Sequence, residues 1–108
     1  MPRCGKLGKD TWGFISQLIR KTVENVLNDP NYNVPRLYWW TYHNFGMRMW
    51  GIMRHGGGQA EIDNAIKEYQ DKYGADPNIL RIIADKLMPI LSAWLVRLHH
   101  CWQVTPGL

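Results

Sequence analysis

Apolar residues recur at spacings of three and four along the first part of the chain. Trp12, Ile15, Ile19, Val23 and Val26 form one stripe, and Phe14, Leu18 and Leu27 widen it. That is the period of an amphipathic α-helix, and Asp10 or Thr11 can cap its start. Asp29-Pro30-Asn31 stops it near Asn28, because proline disfavours helical backbone in the residue before it. A second helix is predicted from about Arg36 to His55, ended by Gly56-Gly57-Gly58, which can supply left-handed backbone. The third, about Gln59 to Tyr73, places Ile62, Ala65, Ile66, Tyr69 and Tyr73 on one side and charges on the other. Gly74 closes it.

Asp76-Pro77 opens the fourth helix as N-cap and first helical residue. Its stripe is Ile79, Ile83, Leu87, Ile90, Trp94 and Leu98, ending near Cys101, and Pro89 is expected to kink or split it. No alternating strand pattern of useful length exists. The fold class is therefore all-α, a compact bundle of four to five helices with short loops. Residues 1–9 read as a flexible basic arm, 10–104 as a single helical domain and 105–108 as a frayed tail.

Composition sharpens this picture. The chain has 108 residues, 45% of them hydrophobic and 20% charged, which suits one folded domain. Six Trp and five Met exceed what packing needs, and both types are enriched at partner surfaces. The longest apolar stretch, Leu87 to Val96, is too short to span a bilayer. No secretory signal is visible, so a soluble, cytoplasmic protein with reduced Cys4 and Cys101 is expected.

Charge changes the reading of the second helix. No acidic residue lies between Asp29 and Glu61, whereas Glu61, Asp63, Glu68, Asp71 and Asp76 crowd into the third helix and its exit. On the second helix Tyr38, Tyr42, Phe45, Met49, Ile52 and Met53 form a sufficient core face. The opposite side carries Arg36, Trp40, His43, Met47, Trp50 and Arg54, with Arg48 beside them. An apolar helix of this kind is either central to its domain or covered by a partner. Gly46 and Gly51 inside it suggest close approach of another backbone.

Arginine binds phosphate and exposed tryptophan stacks on bases, so the leading expectation is a non-enzymatic subunit or accessory protein of a nucleoprotein assembly. Arg36, Trp40, His43, Met47, Arg48, Trp50 and Arg54 would contact nucleic acid backbone, RNA or DNA, with Lys6 and Lys9 adding diffuse attraction. The alternative is a protein-binding inhibitor or adaptor, for example a phage or mobile-element product. It would use the same Trp/Met/Arg face, with a homodimer as the simplest form.

Cofactors and metals are not expected. His99-His100-Cys101 and Cys4 are zinc-type ligands, but no Cys-x-x-Cys or His-x-x-x-His spacing exists. His43 and Met47 would need an open cavity to hold a haem. Gly56-Gly57-Gly58 lacks the strand and the Gly-Lys-Ser/Thr of a phosphate loop, and no catalytic triad or carboxylate pair has a motif context.

Overall fold

The computed structural model describes the backbone of residues 4–104 and the side chains of residues 13–98. Four α-helices follow one another: α1 (Cys4–Leu27), α2 (Trp39–Arg54), α3 (Gln59–Tyr73) and α4 (Pro77–Val104). A 3-10 turn, Arg36–Tyr38, precedes α2. No strand occurs among the described residues.

Each helix end has a local cause. Asp29 Oδ1 accepts from the Asn31 amide at 2.9 Å, turning the chain out of α1. The loop is then pinned to α2, where the Trp39 indole N–H donates to the Val34 carbonyl at 3.1 Å. Glu61 reaches back to accept from the Gly58 amide at 2.8 Å, the reciprocal half of a capping box. Gly74 adopts φ 66° and returns its amide to the Gln70 carbonyl, closing α3 as predicted. Asp76 caps α4 through the Asn78 amide at 2.8 Å.

The helices run up-down-up-down. Trp94 stacks on Phe14 while Ile82 lies beside Val26, so α4 is antiparallel to α1. Tyr73 meets Trp40 and Tyr69 meets Phe45, so α3 is antiparallel to α2. α2 and α4 each touch the other three helices, whereas α1 and α3 do not touch among the described residues. The bundle is therefore flattened along the α2–α4 diagonal. Gly46 makes that possible. A Cβ there would lie 2.6 Å from Ile19 Cγ2, 3.0 Å from Val23 Cγ2 and 3.3 Å from Leu87 Cδ1. One core results, with Ile15, Ile19, Val23, Phe45, Met49, Leu80, Ile83, Leu87 and Leu91 fully buried at its centre.

Three expectations are corrected. α1 begins at Cys4 rather than at Asp10 or Thr11, so Lys6 and Lys9 sit on helical backbone. No proline interrupts the chain between Pro2 and Pro30 to prevent this. The fourth helix, expected to be kinked or split at Pro89, runs as the single helix α4 through that residue, which faces solvent, with Leu87 and Leu91 fully buried on either side. Ile90 is exposed, because the seam passes from Leu87 through Leu91 to Trp94. Tyr38 belongs to the 3-10 turn, which takes it off the helical register of α2 and out of the core. The tail 105–108 lies outside the described residues, as do the side chains of His99, His100, Cys4 and Cys101.

Candidate docking surface

The seven residues singled out on the second helix do not form one face. Trp50 is only 4% exposed and belongs to the core, so it cannot stack on a base or anchor a partner. Met47 is half-buried against the core. Arg48 is exposed but turns toward α3, its Nη1 3.6 Å from Glu68 Oε2. Arg54 is the last residue of α2 and Arg36 precedes its first, which separates them by roughly 25 Å at 1.5 Å per residue. The side chains of Lys6 and Lys9 lie outside the described residues. Only Arg36 and Trp40 remain exposed at the same end of the helix.

His43 lines a cleft of about 220 Å³ between α1 and α2, together with Ser16, Ile19, Arg20 and Met47. Its Nε2 is 3.8 Å from Glu24 Oε1, beyond hydrogen-bond reach, and has no other partner. Burial lowers its pKa below the ordinary value; Glu24 pulls it up and Arg20 pushes it down. The ring is therefore neutral at pH 7, and its contact with Glu24 is not an ion pair there. A histidine with a depressed folded-state pKa takes up its proton more readily when unfolded. Its contribution to stability is full above the unfolded value of about 6.5 and is lost as pH falls below it. Urea midpoints at pH 7.5 and 5.5 should show this fall, and His43→Leu should reduce it. An equal fall in the variant would assign the dependence to other groups.

The exposed aromatic residues gather elsewhere than the sequence pattern placed them. Tyr38 (50% exposed), Trp40 (55%) and Tyr73 (47%) come together where α2 begins and α3 ends, and Leu37 (74%) is exposed next to Tyr38 in the chain. Trp40 and Tyr73 pack edge to face at 6.0 Å, and Tyr69 joins Tyr73 at 5.2 Å. Behind them the Arg36 guanidinium lies 4.8 Å above the Trp39 ring. Tyr38 and Tyr73 also line a slot of about 330 Å³, with Pro35, Tyr42 and Asp76 among its other walls. The Tyr42 hydroxyl accepts from the Asp76 amide at 3.0 Å, which ties α2 to the start of α4 and fixes the slot floor.

Leu37, Tyr38 and Tyr73 were missed as surface residues because each sits at an element end. A helical projection continued through Arg36–Tyr38 points Tyr38 inward, and the same projection counts Tyr73 with the buried side of α3. Val34-Pro35 was the available signal that the register starts only at Trp39. No protein-family model, curated protein or solved structure matches this chain. Function is therefore read from the geometry of the chain itself.

A second apolar groove of about 480 Å³ runs between α1 and α4, lined by Phe14, Leu18, Ile90, Trp94 and Arg97. It offers fewer exposed aromatic rings and polar handles than the corner of Tyr38, Trp40 and Tyr73. Among the described residues no three His, Cys, Asp or Glu side chains come together, and no helix is long and apolar enough to cross a membrane.

Proposed function

We propose that this chain is a non-enzymatic helical module that docks on a protein partner through the corner formed by Arg36, Leu37, Tyr38, Trp40 and Tyr73. The observation that carries this reading is the exposure of four large apolar side chains at one end of the bundle. Contiguous exposed apolar surface of this kind marks interaction sites in folded proteins. Its composition adds support, since Trp, Tyr and Arg dominate interface hot spots and a polar rim surrounds them.

The nucleoprotein reading draws support from Arg36, Arg54 and the net charge of +4. Phosphate binding needs several cations along one path, however. Arg36 and Arg54 stand at opposite ends of α2, Arg48 lies against Glu68, and Asp76 lines the slot beside Tyr73. That layout favours the protein partner.

Affinity capture from lysate tests the proposal. The wild-type chain should retain a stoichiometric protein that Trp40→Ala fails to retain, with the variant's helical circular dichroism unchanged. Fluorescence anisotropy with a single-stranded oligonucleotide over a salt series provides the opposite arm. Binding that weakens log-linearly with salt and disappears in an Arg36/Arg54→Ala variant would restore the nucleic-acid reading and sink this one.

A further inference from the structure

We infer that the aromatic corner takes a proline-rich segment in polyproline II conformation, flanked by arginine or lysine. This rests on the docking reading above and names the chemistry of the partner. A polyproline II strand has no internal hydrogen bonds, so its carbonyls need outside donors, and its rings need flat apolar steps. Aromatic grooves bearing indole and phenol groups supply both.

The chain contains an internal example of this recognition. Pro35 has φ −59° and ψ 143°, close to polyproline II values, and the carbonyl before it, of Val34, accepts from the Trp39 indole N–H at 3.1 Å. The neighbouring ring, Trp40, turns the same chemistry outward at the same end of α2. Tyr38 and Tyr73 flank a slot of about 330 Å³, and the Trp40–Tyr73 edge-to-face pair forms the next step beside it. One proline ring fits the slot and another, further along the strand, lies on the Trp40 step. Trp40 and the tyrosine hydroxyls then serve the carbonyls between them.

Charge indicates the flanking residues. Asp76 lines the slot and uses one carboxylate oxygen on the first turn of α4. Its exposed carboxylate favours a cationic flank on that side of the corner.

The test uses the full ¹⁵N-labelled chain and a twelve-residue peptide of alternating proline pairs and alanines, ended by two arginines. Its control is the same peptide with every proline replaced by alanine. The Trp40 indole resonance should shift saturably with the proline peptide only, while that of Trp39, already engaged by Val34, should stay near its starting position. Trp40→Ala and Tyr73→Ala should each weaken binding about thirtyfold, as truncation of an anchor residue does. Asp76→Asn keeps a good helix cap and should abolish the preference for arginine flanks.

Absence of a shift with the proline peptide overturns the inference. So do an equal shift with the alanine control and a Trp40 resonance that moves only with protein concentration, which would seat a second copy on the corner. If the inference fails while Trp40→Ala still loses its captured protein, the docking surface stands and only the partner chemistry is wrong. If capture is also unaffected, the docking surface itself is wrong.

Discussion

Trp50→Ala should destabilise the protein by about 3–5 kcal/mol, while Trp40→Ala, ten residues earlier on the same helix, should cost no more than about 1 kcal/mol. Trp50 is 4% exposed and fills space in the core, so truncation leaves a cavity that a close-packed interior closes only in part. Trp40 is 55% exposed and gives up chiefly its edge contact with Tyr73. Urea denaturation of both variants measures the contrast. Equal destabilisation would mean that Trp40 is also structural and would remove the main anchor of the proposed surface. A small loss at Trp50 would return the whole opposite face of α2 to the list of binding candidates.

The second large effect concerns two glycines of one helix with opposite expected signs. In an ordinary helix interior, Gly→Ala stabilises by roughly 0.5–1 kcal/mol because it removes backbone freedom from the unfolded chain. Gly51 meets this description, since a Cβ there has nothing within 4 Å. Gly46 does not. Its added methyl would sit 2.6 Å from Ile19 Cγ2 and 3.0 Å from Val23 Cγ2, and both are branched side chains with little freedom at χ1. Overpacking of this kind typically costs about 1–3 kcal/mol, more than the helix propensity returns. Thermal or urea midpoints should therefore rise for Gly51→Ala and fall for Gly46→Ala. A rise for both would show that α2 shifts away from α1 at little cost and that the close crossing is not required.

The two glycines also mark how far the sequence could be read. Both stood out as interior glycines that permit close approach, and only Gly46 uses that permission. Residue type states what a position allows, while neighbours from other helices decide what it does. The same holds for His43. Its place on the side of α2 opposite Tyr42, Phe45 and Met49 was legible, but its depressed pKa depends on burial against α1 and on Glu24 and Arg20.

By itself the sequence determined the helices. Three-and-four spacing set their faces, and Asp76-Pro77, Gly74 and Asp29-Pro30 set three of their ends, because periodicity and capping act within a few residues. α3 came out at its full extent, Gln59–Tyr73. The core face of α2, with Tyr42, Phe45, Met49 and Ile52, was legible from spacing, and only the tertiary structure decided how much of the opposite side is covered. Packing against α1 and α4 buries Trp50 while leaving Trp40 out. The candidate surface depends on the same step. Leu37, Tyr38 and Trp40 are neighbours in the chain, but Tyr73 is more than thirty residues away, and the antiparallel return of α3 brings it against Trp40. Contacts between residues so distant in sequence are set by how helices stack, which no local pattern specifies.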